Sequence, residues 1–430
     1  MRKWLTFSID NSLNLDKRLT VLAEDFIHAQ VLTDRYNEPS GLYLKMSRFG
    51  ILAGFGAIDV VECPVTELES FINRDDWYFG FLSYQLKSEL FNLPDNGKDA
   101  TIPFPKLYFF RPRFIIKTIG ESNFFGYDSE LDDEDTARVF IEKINQIDIS
   151  VNQTFKGSVK LSQHVSQTDY FKAVEALQQH IGRGDIYEVN YCIEFSAQGV
   201  TSSPQALFSS MMDLSPMPFS AFLKNGEHYV ICASPERYLK KSENKVFSMP
   251  MKGTSAREYL NVSGRVKLED SEKEQAENIM ITDLVRNDLS RVAKPGTVKV
   301  DELCGIYAFP SVYQMVSTVS CQLKENVSWA EPIRCSFPMG SMTGAPKQRA
   351  LELIDIYENG TRGLYSGAIG YITPERDFDF NVVIRSLFLN QTEKKASFWV
   401  GSAITAQSIA EDEYNECLLK ANVLMKILNQ

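Results

Sequence analysis

The sequence contains no apolar run long enough to cross a membrane. FGILAGFGAI, at residues 49–58, is one of its longest apolar stretches, whereas a membrane-spanning helix needs about 20 apolar residues. The amino-terminal stretch MRKWLTFSIDNS carries charge but lacks the apolar core of an export signal. These absences predict a soluble, cytoplasmic protein.

The sequence also lacks the patterns of a disulfide framework or a zinc site. Its seven cysteines are scattered without a C-x-x-C pair, and their number is odd. Its four histidines have no zinc-like spacing with one another or with cysteine. We therefore expect reduced thiols and no transition-metal site, while a hard cation held by carboxylates is compatible with the composition.

Positive charge is the scarcer sign. The chain has 45 Lys and Arg against 56 Asp and Glu, a net charge of −11 at pH 7, and the basic residues form no stripe. This disfavours a nucleic acid partner, which needs a basic surface to meet its phosphates. An anionic ligand would have to be attracted locally, by a few arginines, a lysine or a metal ion.

What the chain does contain is enough apolar sequence for a large core. It has 430 residues, of which 44% are hydrophobic and 23% charged, which predicts one large domain or two closely packed ones. Strand-like runs are interrupted by separate helical segments, and this pattern favours an α+β fold with antiparallel sheets. A change of texture divides the chain into an N-terminal region, residues 1–155, and a second region, residues 156–430, which carries the candidate chemistry.

Several helices are predicted from apolar periodicity between capping and stop signals. They cover residues 129–147, 167–185, 271–293, 346–358 and 410–428. A strand is predicted at residues 106–120, and two or three more between residues 227 and 254, with a turn at SENK.

The helix predicted at 271–293 carries an acidic residue at the head of an apolar stripe. The stripe consists of Glu277, Ile281, Leu284 and Asp288. A buried carboxylate is costly unless it is paired or bound to a cation. Periodicity alone favours the simpler alternative, in which Glu277 lies at the solvent edge of the stripe.

The last predicted helix has a second acidic pair. Glu413 and Glu416 lie three residues apart near its start, where negative charge is favourable. Glu416 also precedes Lys420 by four residues, so a surface ion pair is the ordinary interpretation. Spacing alone cannot connect these residues to Glu277.

Two further stretches place charged residues in strand-like sequence. Glu236 of ASPERYL precedes Lys252 of SMPMKGTSARE by sixteen residues. Across a hairpin, the acid and the amine could share a cleft as proton donor and nucleophile, but two exposed strand charges are the favoured alternative. Arg385 of NVVIRSLFL, a lone arginine inside an apolar strand, predicts a carboxylate or phosphate partner.

GSMTGAPKQRA, residues 340–350, has glycines before a lysine and a helix. It does not fit a phosphate-binding loop, because Lys347 follows Ala345 and Pro346 and is not followed by Ser or Thr. Pro346 is better explained as a first-turn helix proline, entered through Gly344.

A series of motifs resembles the chorismate-utilising enzymes. In order, they are GDIYEVN, ASPERYL, PMKGT, AENIMITDLVRNDLSRVA, FPMGSMTGAPKQRALELID, YSGAIGY, IRSL and EDEYNECLLKAN. WYFGFLSYQLKSEL, residues 77–90, resembles a stretch of the family's non-catalytic half. The resemblance implies the family's fold, with two large antiparallel sheets packed face to face, helices outside and the active cleft between the sheets.

Within that family, the PMKGT motif with Lys252 resembles the aminodeoxychorismate synthase component I branch. Anthranilate synthase component I usually has alanine at the position of Lys252. The resemblance implies amination of chorismate at C4 to 4-amino-4-deoxychorismate, for p-aminobenzoate and folate synthesis, with ammonia from a glutamine amidotransferase partner. Lys252, as an uncharged amine, would add to C2 of the ring, and Glu236 would act as general acid and then base. Anthranilate synthase component I and a non-catalytic chorismate-binding subunit are the alternatives.

The resemblance also implies how the substrate is held. Mg²⁺, coordinated by Glu277 and Glu416 with Glu413 nearby, would bind the ring carboxylate. The remaining substrate-binding residues implied are Arg385, Tyr365, Gly401, Thr254 and Lys420.

The chain departs from the family pattern in three places. Glu188 of GDIYEVN stands where the amidating members commonly carry glutamine, and Ser402 and Ala403 alter a glycine-rich stretch. The LLES-like segment that marks a tryptophan site in some relatives is absent, so tryptophan binding is not inferred.

Overall fold

The computed structural model describes residues 2–9, 14–34, 49–94, 96–149, 159–257, 263–309 and 312–429. Its strands are β1 Arg2–Phe7, β2 His28–Thr33, β3 Ile51–Val61, β4 Tyr78–Leu82, β5 Leu107–Ile119, β6 Ser122–Asp128, β7 Lys160–Gln163, β8 Glu188–Gln198, β9 Phe219–Asn225, β10 His228–Ser234, β11 Arg237–Ser242, β12 Lys245–Ser248, β13 Met251–Ala256, β14 Lys299–Ala308, β15 Val312–Gln322, β16 Gly344–Ala345, β17 Ala368–Ile372, β18 Phe378–Asn381, β19 Ser386–Asn390 and β20 Lys395–Ile404. Its α-helices are α1 Leu15–Leu22, α2 Leu68–Phe71, α3 Lys87–Leu90, α4 Glu134–Gln146, α5 Gln167–Gly182, α6 Pro204–Leu214, α7 Ser263–Glu269, α8 Glu272–Ser290, α9 Glu331–Ser336, α10 Lys347–Tyr357 and α11 Ala410–Leu428.

The strands form two antiparallel arms that meet at β5. One arm runs β8–β20–β19–β10–β9–β2–β3–β5, and the other runs β5–β4–β17–β18–β11–β12–β15–β14. One apolar cluster contains residues from both arms, such as Leu223 and Trp399 of the first with Phe79 and Phe380 of the second. The predicted α+β class with antiparallel sheets is confirmed.

Strand pairing joins residues from both sides of the predicted boundary near residue 155. β2 pairs with β9, and β4 pairs with β17, so strands from both predicted regions share the same sheet arms. The proposed boundary at residue 155 lies outside the described residues, and the division into two regions stays a prediction.

The predicted helices are present, four of them with shorter ends and the last with the expected bounds, Ala410–Leu428. The acidic helix expected at 129–147 begins at Glu134, because the Asp133 carboxylate accepts a hydrogen bond from Thr136 N at 2.8 Å and so caps the first turn. Pro346 is the residue directly before α10 and not within its first turn. The expected strand at 106–120 is β5, and four strands begin between residues 227 and 254, where two or three were expected.

Candidate active site

Lys252 lies on β13 at an irregularity of the sheet. The register between β13 and β15 shifts between Met251 and Thr254, and Gly253 has φ 89°, a conformation that favours glycine. Asn278 of α8 donates from Nδ2 to the carbonyl of Lys252 at 3.5 Å. The bulge and this contact fix the backbone from which the amine reaches into the interior.

The amine of Lys252 forms a buried ion pair with Glu188 at the start of β8. Nζ lies 2.6 Å from Oε1, and the two side chains are 10% and 1% exposed. Burial by itself lowers the pKa of Lys252, but the negative charges of Glu188, Glu277 and Glu416 outweigh it and raise the pKa. The raised pKa favours the ammonium form of Lys252, whereas the resemblance implies an uncharged amine at the moment of attack.

Glu236 occupies the turn between β10 and β11 and is buried. Its Oε1 accepts hydrogen bonds from Ser341 Oγ at 2.6 Å and Met251 N at 3.4 Å. Burial raises the pKa of Glu236 to about 7. The interpretation of Glu236 and Lys252 as two exposed strand charges is wrong, since both side chains point into the interior.

Glu277 lies on the buried face of α8. It is 8% exposed, so the interpretation that places it at a solvent edge is wrong. Burial raises the pKa of Glu277 to about 7, and Lys252 lowers it in opposition. The buried neighbours along the helix include Ile281, Val285 and Leu289, which give the carboxylate its low-dielectric surroundings.

The carboxylates of α11 face the same side as Glu277. Lys273 of α8 lies 4.0 Å from Glu277 Oε1 and 3.4 Å from Glu413 Oε1, so one ammonium spans the two helices. Glu416 pairs with Lys420 at 2.6 Å, which confirms the predicted i, i+4 ion pair. Tertiary packing thus brings Glu277 beside Glu413 of the acidic pair on α11, a proximity that sequence spacing could not predict.

These carboxylates suit a hard cation by their chemistry. Oxygen ligands are what Mg²⁺ prefers, and Oε1 of Glu277 is buried without a hydrogen-bond partner. Within the described ranges, no three acidic, histidine or cysteine side chains are already arranged as a metal site. Lys273 and Lys420 neutralise the acids in this arrangement, so both ammonium groups would have to give way to a cation.

Gly401 and Tyr365 both lie next to Cys192. Gly401 on β20 pairs with Cys192 on β8, and its carbonyl accepts a hydrogen bond from Lys420 Nζ at 2.8 Å. Tyr365 is buried, stacks on Trp399 with ring centroids 6.2 Å apart, and its hydroxyl lies 4.0 Å from Cys192 Sγ. Lys420 therefore connects Gly401 to the acidic cluster.

Arg385 precedes β19 and is not inside a strand, so that part of the sequence prediction is wrong. It has φ 51°, and its carbonyl accepts from Ala233 N at 3.2 Å, while Glu236 O accepts from Val382 N at 3.0 Å. The segment that carries Arg385 thus runs beside the segment that carries Glu236. The Arg385 guanidinium lies 3.8 Å from Met217 Sδ.

Thr254 is exposed. Its hydroxyl oxygen accepts from Gln314 Nε2 at 3.5 Å, and no described contact connects it to Lys252 or to the acids. Its place in substrate binding stays a prediction.

Sequence reasoning missed several residues that build the site. Glu188 was noted as a departure without a role, and Ser341, Asn278 and Lys273 were not singled out. Each lies within or beside a recognised motif, but their contacts join segments far apart in the chain, such as Ser341 and Glu236, 105 residues apart. The motifs could locate these residues but not assign their partners.

The protein thus combines two antiparallel sheet arms with a buried cluster of carboxylates around the amine of Lys252. The sequence profile of the family described as chorismate binding enzyme matches residues 59–426. The chain belongs to this family.

Three curated relatives share this region. The chain is 40% identical over 275 residues to aminodeoxychorismate synthase, chloroplastic, of Arabidopsis thaliana, covering 61% of this chain and 29% of that protein. It is 34% identical over 266 residues to aminodeoxychorismate synthase component 1 of Bacillus subtilis (61% and 56%) and 36% identical over 270 residues to that of Escherichia coli K12 (62% and 59%). The matches therefore span less than two thirds of the length of these relatives.

Solved structures of similar fold cover nearly the whole chain. Anthranilate synthase component I from Streptococcus pneumoniae superposes with a TM-score of 0.77 at 22% identity, over 92% of this chain and 94% of that one. MenF, the menaquinone-specific isochorismate synthase of Escherichia coli, has a TM-score of 0.78 at 16% identity, over 100% and 94%. These similarities establish the fold.

Proposed function

We propose that this chain is an aminodeoxychorismate synthase component I, which aminates chorismate at C4 to give 4-amino-4-deoxychorismate. The observation that carries the proposal is the buried Lys252 amine, set between Glu188 and the acids of α8 and α11 near the buried Glu236. A protein that only binds a ligand has no need for both an acid and an amine at its centre. The names of the relatives support the same reaction.

Lys252 and Glu236 divide the chemistry. Lys252 adds to C2 of the ring as the C4 hydroxyl leaves, which gives a covalent intermediate that ammonia resolves at C4. Glu236 protonates the departing hydroxyl, and its pKa of about 7 keeps a large fraction of the carboxyl protonated near neutral pH. Ser341 and the Met251 amide hold the Glu236 carboxyl in place through their hydrogen bonds.

The acids around Lys252 would hold Mg²⁺. Glu277 and Glu416 are its ligands in this proposal, with Glu413 beside them, and the ion when bound supplies positive charge for the ring carboxylate. The second carboxylate is bound by Arg385, Tyr365 and the backbone at Gly401, and Lys420 and Thr254 are further substrate-binding residues. These residues let a chain of net charge −11 accept a dianion.

Ammonia would come from a glutamine amidotransferase component in a heterodimer, and the pathway would be p-aminobenzoate and folate synthesis. All seven cysteines are free thiols, which fits the reducing cytoplasm. No described helix has both the length and the apolar character that a bilayer crossing requires. Within the chain, we assign the catalysis to residues 156–430.

Product analysis tests the proposal. The purified chain, incubated with chorismate, Mg²⁺ and ammonium, should yield 4-amino-4-deoxychorismate without pyruvate, detected by mass. Fluorescent anthranilate together with pyruvate would instead identify an anthranilate synthase. Unchanged chorismate, under conditions where its binding is measurable, would show a non-catalytic binding subunit.

Lys252→Ala tests the covalent role. Amination should fall by at least about 10³-fold, since removal of a nucleophile removes the main reaction route, while chorismate affinity changes little. Intact mass of the unaltered chain without ammonia should show an adduct equal to chorismate minus water. An unaffected rate in Lys252→Ala would show that ammonia attacks the ring directly.

A further inference from the structure

Glu188 is the carboxylate in direct contact with the amine of Lys252. Its Oε1 lies 2.6 Å from Nζ, and the Glu188 side chain is 1% exposed. Its other oxygen, Oε2, is buried and has no hydrogen-bond partner within the described part of the chain. A buried acid with a spare lone pair, touching a buried ammonium, is a pair across which a proton can move without passing through solvent.

Four other acids face the amine from the elements packed around it. Glu236 approaches from the turn after β10, Glu274 and Glu277 from α8, and Glu416 from α11. These four act on the amine through their charge, whereas Glu188 touches it. Glu236 must keep its own proton for the leaving hydroxyl, and Glu277 and Glu416 are the proposed cation ligands. No contact joins Glu274 to the amine within the described residues, so Glu188 is the acid placed to accept the proton of Lys252.

We propose that Glu188 takes the proton of Lys252 before the amine attacks the substrate and returns it after the product has formed. This inference rests on the function proposed above, since it concerns the same nucleophile. It resolves the conflict between an ammonium, which cannot attack, and a reaction that needs a neutral amine.

The protons and bonds balance through one cycle. Transfer within the pair gives Lys252 as a neutral amine and Glu188 as a carboxylic acid. The amine then bonds to C2, the two ring double bonds each shift by one bond, the C4–O bond breaks, and the hydroxyl leaves as water with the proton of Glu236.

Ammonia closes the cycle. It bonds to C4, the double bonds return, and the C2–N bond breaks, which releases Lys252 as a neutral amine. Glu188 gives its proton back to Lys252, and the new C4 ammonium gives one proton to Glu236. The net change is chorismate plus ammonia to aminodeoxychorismate plus water.

The test measures adduct formation on the purified full chain with chorismate and Mg²⁺ but without ammonia. Intact mass is followed in time between about pH 6 and pH 9 for the unaltered chain, Glu188→Gln and Glu188→Asp. Glu194→Gln is the matched control, because Glu194 is also a buried carboxylate of β8 but pairs with His164 at 3.1 Å. Thermal unfolding and chorismate binding of each variant show that it is folded.

Glu188→Gln is expected to slow adduct formation by ~10²-fold at pH 7. The rate of this variant, divided by the rate of the unaltered chain, should rise with pH, because the variant must release the Lys252 proton to solvent. Glu236 titrates in both chains, so its effect on the rate cancels in this ratio. Glu188→Asp, which keeps an acceptor, should be slower by a factor that does not change with pH, and Glu194→Gln should match the unaltered chain.

Two results would overturn the inference. In the first, Glu188→Gln forms the adduct at the rate of the unaltered chain at every pH. In the second, the rate of Glu188→Asp relative to the unaltered chain increases with pH, as expected for a chain without a proton acceptor at position 188. Failure of the proposed function looks different, since the unaltered chain would then form neither adduct nor aminated product.

Discussion

At the scale of single residues, burial sets the protonation of the acid that is proposed to act on the leaving hydroxyl. Glu236 is buried, and its pKa lies at about 7 against an ordinary value of 4.5. Between pH 4.5 and 7 the unfolded chain loses this proton while the folded chain keeps it. The contribution of Glu236 to stability is therefore least unfavourable at low pH and worsens as pH rises to about 7.

Glu236→Gln separates this stability effect from catalysis. The amide keeps an oxygen for Ser341 but cannot give a proton, so amination should fall by about 10²- to 10⁴-fold. Relative to the unaltered chain, the variant should gain stability from pH 5 to pH 8, by on the order of 1 kcal/mol or more. Denaturant unfolding of both chains at pH 5 and pH 8 checks this. If the free energies of unfolding of the variant and the unaltered chain differed by the same amount at both pH values, the raised pKa of Glu236 would be contradicted.

At the scale of elements, the close approach of β20 and β8 shapes the floor of the site. A Cβ added at Gly401 would overlap Cys192 Sγ and lie 2.9 Å from the carbonyl oxygen of Tyr191. Both contacts belong to the neighbouring strand, which cannot move without disturbing Glu188 at its start. A glycine is needed at this position for packing as well as for any backbone contact with substrate.

Gly401→Ala should therefore destabilise the fold by about 1–3 kcal/mol and weaken chorismate binding. The control is Gly182→Ala at the end of α5, where an added Cβ meets nothing within 4 Å. That variant should be neutral or slightly stabilised, because alanine favours the helix. Thermal unfolding and chorismate titration check both; equal behaviour of the two variants would rule out the proposed strand contact.

A buried ion pair joins α8 to α10. Lys347 Nζ lies 2.6 Å from Asp288 Oδ2, with side chains 7% and 6% exposed, and it donates to Ser336 O at 2.7 Å. The lysine that a phosphate-loop pattern would have used thus connects two helices.

Lys347→Met should cost about 3–5 kcal/mol, because it leaves the buried Asp288 charge without its partner. The double variant Lys347→Met/Asp288→Leu removes both charges and should recover much of this loss. Equilibrium unfolding of the two variants measures the difference. A double variant as unstable as the single one would show that packing at Lys347, and not the charge, provides the stability.

At the scale of the whole molecule, ligand binding should draw the elements of the site together. The acids come from β8, α8 and α11, and the chain is acidic overall, so the proposed anionic substrate would need the proposed cation to bind beside them. Binding to the folded state alone stabilises it, by about 2.7 kcal/mol at 100 times the dissociation constant.

Chorismate should therefore raise the unfolding temperature much more with Mg²⁺ than with a chelator. Glu277→Gln should remove this dependence on Mg²⁺, whereas Glu134→Gln, in an exposed ion pair with Arg138, should retain it. Calorimetric unfolding scans of each chain check this, with and without chorismate, in Mg²⁺ and in chelator. An equal shift with and without Mg²⁺ would contradict the assigned ligand set.

The sequence by itself determined the antiparallel α+β class, the positions of the long helices and the identity of most candidate site residues. It could do so because apolar periodicity, capping residues and ordered motifs are local signals. The short helix α7, of seven residues, went unpredicted, since two turns give little periodicity.

Only the tertiary structure decided which of these residues meet and how they are charged. It buried Glu277, where periodicity favoured the solvent edge, and it placed Arg385 before its strand. It also brought Glu188 into contact with Lys252, which follows it by 64 positions in the sequence. The physical reason is that a pKa depends on burial and on charges brought close by folding, and the charges around Lys252 come from segments spread between residues 188 and 416.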